Sequence, residues 1–248
     1  IKDRLGGLLF GTVCFGMSAH WWQDEHFFHH GMTNTVDVAR RWIDPQMWEF
    51  VWAQNKKMFP LFSGWLQYCL IKIQHITFVP VVIFCGRVEI LLDSFVGERR
   101  WYEWLAGALH WSWMLFLWSR LPTWWDVFIM YYTACTIEGI FHFQLILSHY
   151  CRKFLDTDEF LESSWYEFQI LSNMNIDTYW WLDWYYGGLN FHIEHHLFPK
   201  VARQHLRTIA PRIQEICKKY DIEYDNQPFM GALYKTLVHL KHAKTHYS

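Results

Sequence analysis

The 248-residue chain has a formal charge of only -2, with 22 Lys and Arg against 24 Asp and Glu, which excludes the clustered basic footprint of a nucleic-acid-binding protein. Its 17 Trp, 20 Phe and 13 Tyr exceed what a soluble core needs and point to a membrane, where an apolar ring with a polar edge suits the interface. Six cysteines without a CxxC pair exclude a regular disulfide scaffold, and no Gly/Ser/Pro-rich linker divides the chain, which therefore reads as one domain.

The chain begins with Ile rather than Met and carries no secretory signal, so it is expected to start inside a longer protein. Residues 5–19, "LGGLLFGTVCFGMSA", are apolar but too short for a full crossing and predict a re-entrant or interfacial helix. They lead directly into "HWWQDEHFFHH", residues 20–30. Between Asp37 and Lys57 the chain is charged and Trp-rich, and Arg40, Arg41, Lys56 and Lys57 place it on the cytoplasmic side. Residues 58–96 mix apolar runs with Lys72, His75, Arg87, Glu89 and Asp93, predicting amphipathic interfacial helices broken at Pro60 and Pro80, with a third crossing as the alternative.

"WLAGALHWSWMLFLWS", residues 104–119, has no formal charge, and from Val127 to Cys151 the only acid or base besides histidine is Glu138. Joined by "SRLPT" at 119–123, the two segments read as a transmembrane hairpin, since a crossing needs roughly 20 apolar residues. Arg99 and Arg100 put its start in the cytoplasm, and two crossings return the chain to that side near His149. Residues 152–168 are charged and predict a soluble segment; "VARQHLRTIAPRIQEICKKY", 201–220, has a helical pattern interrupted at Pro211, and the tail to Ser248 is basic and polar. The fold expected is an all-α integral membrane protein: a transmembrane helical hairpin, interfacial helices and a cytosolic cap carrying histidines.

Two HxxHH boxes stand out: His26, His29 and His30, and His192, His195 and His196 in "FHIEHHLFP". On a helix, residues i, i+3 and i+4 share a face, so each box aims three imidazoles at one region. Two boxes plus His149 offer seven nitrogen donors, too many for one tetrahedral ion, and two metals are the simpler account. Imidazole suits iron, copper, nickel and zinc alike; an oxygen-activating di-iron site is the preferred reading. Glu138, His142 and His149 fall on one side of a helical wheel, so His149 completes the metal shell while Glu138 and His142 are candidates for lining a substrate channel. Isolated histidines such as His20, His75, His110 and His205 read as surface or hydrogen-bonded core residues.

These segments resemble the membrane-bound acyl desaturases, specifically the front-end desaturases acting on fatty acyl or sphingolipid chains. "WWQDEHFFHH" resembles their second histidine box, "GGLNFHIEHHLFP" followed by "RQHLRTIAP" their third, and "ILSHY" their isolated metal-binding histidine. The resemblance implies a di-iron centre held by His26, His29, His30, His149, His192, His195 and His196. It implies removal of two hydrogens from an acyl lipid with O2 and two electrons from a cytochrome b5 partner or fused domain. It also implies an endoplasmic-reticulum membrane protein with its site facing the cytosol. Front-end members usually have glutamine where this chain has His192. The family's first box and the HPGG-bearing cytochrome b5-like domain have no counterpart, so residues 1–248 are expected to be the C-terminal part of a desaturase catalytic domain, inactive alone. A di-iron hydroxylase or oxidase, or a non-catalytic membrane metal carrier, are the competing readings.

Overall fold

The structure, a computed structural model, describes residues 2–47, 52–96 and 100–243, the side chains of residues 2 and 3 excepted. Ile1, residues 48–51 of the Trp-rich segment, Arg99 of the expected charge pair and the last five residues of the tail lie outside the described residues. The chain folds into two compact units, Ile1–Phe27 with Pro80–His142, and Phe28–Val79 with Phe143–Ser248.

The first unit begins with α1 (Lys2–Gly6), which continues as a π-helical stretch, Gly7–Cys14. It further contains most of α2 (Ala19–Gly31), the second half of α3 (Trp65–Val96), all of α4 (Trp101–Trp118) and most of α5 (Trp124–Ile146). The π-helical stretch lies on α4, where His110 Nδ1 and Trp113 Nε1 both meet the Val13 carbonyl, at 3.0 and 2.8 Å. The chain then turns at Gly16, whose φ of +88° and contact with the His110 ring leave no room for a Cβ. Arg87 closes the turn by donating to the Phe15 carbonyl and lying 3.6 Å from its ring centroid. Buried Glu103 starts α2, accepting from Ser18 Oγ at 2.9 Å and from the His20 backbone N–H at 2.8 Å. At Gly139, α5 touches the backbone of Ile83 on α3 so closely that any side chain at 139 would strike its carbonyl.

In the second unit β1 (Thr35–Asp37) pairs antiparallel with β2 (Trp42–Ile43) and parallel with β3 (Leu155–Asp156). Val36, Ile43, Met58, Leu61, Phe62, Ile71 and Phe154 form the core around them. After α6 (Thr157–Glu162), started by an Asp156/Glu159 capping box, come α7 (Trp165–Leu171) and β4 (Asn175–Asp177). Then follow α8 (His192–Leu197), α9 (Leu206–Lys219), β5 (Asn226–Pro228), which pairs with β4, and α10 (Phe229–Ala243). Gln74 ties this core together, its amide donating to the Leu240 carbonyl at 2.8 Å and its oxygen accepting from Ala53 N–H at 2.8 Å.

The chain is mostly helical, in keeping with the all-α expectation, and the five strands among the described residues, at two or three residues each, are too short to show a two-residue period. Two expectations are corrected. Pro80 does not break a helix: α3 runs 32 residues through it and, among the described residues, is the helix long and apolar enough to cross a membrane by length and composition. Proline removes one ladder bond, whereas a break in an apolar segment would leave many more backbone groups unpaired. Pro211 likewise sits inside α9, whose face of Leu206, Ala210, Ile213 and Cys217 is buried and holds the helix together. The two segments of the expected hairpin form α4 and α5, of 18 and 23 residues, joined at 119–123.

Candidate metal centre

Both HxxHH boxes are helical. His29 and His30 occupy the last turn of α2, which ends at Gly31, and all three histidines of the other box lie on the six-residue α8, every residue of which is buried. His149 follows α5 in a tighter turn of i to i+3 bonds rather than on the helix itself, so the single wheel drawn through Glu138, His142 and His149 does not apply beyond Ile146.

The ligand atoms of His29, His149, His192 and His196 lie within 4.8 Å of one another, all buried. His149 Nε2 is 3.1 Å from His29 Nε2 and 2.8 Å from His192 Nε2, and His30 Nε2 is 3.1 Å from His195 Nε2. His26 lies one turn before His30 on the same helix, its ring stacked on Trp22 at 5.3 Å.

The outer ring nitrogens decide what these contacts mean. His29 Nδ1 faces both oxygens of buried Asp44, at 2.8 and 3.0 Å. His192 Nδ1 donates to the Leu189 carbonyl at 3.1 Å, and His196 Nδ1 to Gln169 Oε1 at 3.1 Å, that amide being oriented by its own donation to the His30 carbonyl. An oxygen acceptor at Nδ1 fixes the proton there and leaves Nε2 a bare lone pair. Three such lone pairs, of His29, His192 and His196, converge with the His149 ring in a buried space. Burial, reinforced by the neighbouring histidines, holds His192 and His196 well below the ordinary imidazole range, so neither is a cation. Ligands about 2.1 Å from a metal and at right angles stand about 3.0 Å apart, so the observed spacings suit a metal ion better than they suit facing lone pairs. The donor set fits iron, and the ring-nitrogen chemistry alone does not choose between iron and other imidazole-binding metals.

Around the rings is a polar frame that the sequence did not disclose. Asn34, in the left-handed conformation at φ 49°, brings its amide nitrogen to the carbonyls of His149, Lys153 and Ser172 at 3.0, 3.3 and 3.2 Å. Its backbone N–H donates to Asp44 Oδ2 at 2.9 Å, joining it to His29. Behind α8, Glu194 accepts from Tyr224 O–H at 2.7 Å and from Asn175 Nδ2 at 2.8 Å, while Asn175 Oδ1 accepts the Ile193 backbone N–H at 2.9 Å. Burial pushes the Glu194 carboxyl up, against these two hydrogen bonds. Only the Asx and carboxylate character of Asn34 and Asp44, flanking the box at "TNTVD" and "WIDP", could have signalled the frame in advance.

Glu138 and His142 belong to neither imidazole group; both are half-buried, and Glu138, one of whose carboxylate oxygens makes no hydrogen bond, has Arg87 as an electrostatic partner. His110 is spent on Val13, and His20 faces Asp24 at 3.5 Å.

The fatty acid desaturase family model matches residues 2–228. Delta(8)-fatty-acid desaturase 1 of Arabidopsis thaliana is 30% identical over 97% of this chain and 56% of its own length. Acyl-lipid (9-3)-desaturase of Borago officinalis is 29% identical over 95% and 55%, and Delta 8-(E)-sphingolipid desaturase of Emericella nidulans 24% over 90% and 44%. The chain thus spans about half the length of the curated relatives it matches, and no solved structure matches it. With a match running from α1 through β5 and both histidine boxes inside it, the chain belongs to the fatty acid desaturase family.

Proposed function

We propose that the protein is a lipid desaturase, forming a double bond in a fatty acyl or sphingolipid chain at a di-iron centre. The observation that carries the reading is the buried convergence of His29, His149, His192 and His196, three of which, His29, His192 and His196, have an oxygen acceptor at the outer nitrogen. One iron would be held by these four and the second by His26, His30 and His195. When bound, the metals supply the oxidising power to take two hydrogens from unactivated methylenes, using O2 and two electrons.

The chain's own residues bind and orient. Asp44, Gln169 and Leu189 fix the tautomers, and the buried walls exclude water from the imidazoles. This chemistry requires no side-chain general base. The α4–α5 pair forms a transmembrane hairpin beside α3, and Glu138 and His142 border the path of the lipid chain, which their place as ionisable groups within the apolar α5 supports. The reading includes a cytochrome b5 donor, as domain or partner, and an endoplasmic-reticulum location with the site facing the cytosol.

Expression of the complete gene product in a host of simple lipid profile is expected to yield a lipid two mass units lighter, with His149→Ala abolishing both that product and the bound iron. A product sixteen units heavier would indicate oxygen insertion instead. Wild-type product or metal content in the variant would reject the assignment.

A further inference from the structure

The glutamate inside "HIEHH" looks like a metal ligand by its neighbours, and the structure gives it another role. At about 100° per residue, Glu194 lies roughly 150° from the mean direction of His192, His195 and His196 on α8, so it points away from the imidazoles. Both of its oxygens are occupied, Oε1 by the Tyr224 hydroxyl at 2.7 Å and Oε2 by Asn175 Nδ2 at 2.8 Å. The same amide nitrogen is 2.6 Å from the Tyr224 oxygen, which closes the three groups into a ring of hydrogen bonds.

We infer that Tyr224 and Asn175 are positioning residues which, through Glu194, set the rotation of α8 and hence the aim of its three imidazoles. This role rests on the metal reading above. A helix of six residues has fewer than two turns and no side-chain N-cap of its own, so its orientation must come from outside. Asn175 supplies the missing cap by accepting the Ile193 N–H, and it stands at the start of β4, the strand paired with β5. Tyr224 precedes β5 by two residues and packs with Ile222 against Ile193, Leu197, Ile213 and Cys217, which makes its hydroxyl a rigid post. A small rotation of α8 would carry the three nitrogens sideways together, and imidazole ligation tolerates little of that.

The test is Co2+ titration of the purified complete protein, read by the ligand-field absorption bands and by affinity, beside its thermal unfolding. Tyr224→Phe keeps the ring and removes the donor; it is expected to shift the bands and weaken binding about 10- to 100-fold, with turnover of the iron form falling by a similar factor. Glu194→Gln keeps the acceptor for Tyr224 but sets its amide against that of Asn175, and is expected to give an intermediate loss. This second variant decides the matter should Tyr224→Phe not fold. Unchanged bands and affinity in the variants, even with a lowered melting temperature, would overturn the positioning role. A wild-type protein that takes up no Co2+, or takes it up unaltered in His196→Ala, would instead bring down the metal reading and this inference with it.

Discussion

The two units differ in what each presents and what each buries. In the first, large apolar side chains stand outward: Leu105, Leu109, Leu115 and Phe116 of α4 are all more than half exposed, while Glu103 and His110 are inside. In the second, the interior holds His29, Asn34, Asp44, Gln169, Asn175, Glu194 and His196, nearly all of them hydrogen-bonded to one another. Apolar surfaces of this extent are ordinary against lipid and a liability against water. Buried polar networks are costly unless satisfied, and satisfied ones specify a single arrangement. The apolar face of α4 suits a lipid surrounding, and the satisfied polar interior of the second unit suits a site.

The comparison can be broken from either side. The largest effect is expected from Leu109→Lys at the middle of α4: on the proposed reading of α4 as a crossing, a charge at mid-helix costs roughly 2.5–3.5 kcal/mol of insertion, measurable as lost membrane-integrated protein in a glycosylation-mapping assay. Normal insertion would show that α4 does not cross. Asp44→Asn acts on the other unit alone; it weakens the acceptor at His29 Nδ1 and should lower metal affinity about 10- to 100-fold without altering integration. Equal loss of integration would make Asp44 a general folding residue.

The smallest effect concerns pH. Burial holds His239 of α10 below the ordinary imidazole value of 6.5, against its hydrogen bond to the Gln54 carbonyl. The unfolded chain therefore takes up a proton that the folded one resists, so this contribution to stability is full above pH 6.5 and is lost as pH falls toward the folded value. His239→Gln should flatten the decline of melting temperature below pH 6.5, and an identical decline in wild type and variant would remove His239 from the account.

The imidazole boxes were legible because their information is local: spacing of three and four on a helix needs no knowledge of the rest of the fold. His149 was legible only partly, since the chain leaves α5 at Ile146 and delivers the ring from a turn. The frame was not legible, because Asp44 meets His29 across 15 positions, Tyr224 meets Glu194 across 30 and Gln169 reaches back 139 positions to His30. Pro80 and Pro211 misled for the opposite reason: a local penalty was given more weight than the burial or apolar setting that outweighs it.

Position 34 shows how narrow the choice at such a junction becomes. Glycine would accept the positive φ but could not reach the three carbonyls; aspartate has the same outline and would set oxygen against oxygen; glutamine is a methylene too long and less at ease in that backbone region. In a saturation library selected for function, this asparagine should tolerate replacement as poorly as the histidines themselves, although its amide nitrogen contacts backbone carbonyls rather than ring nitrogens.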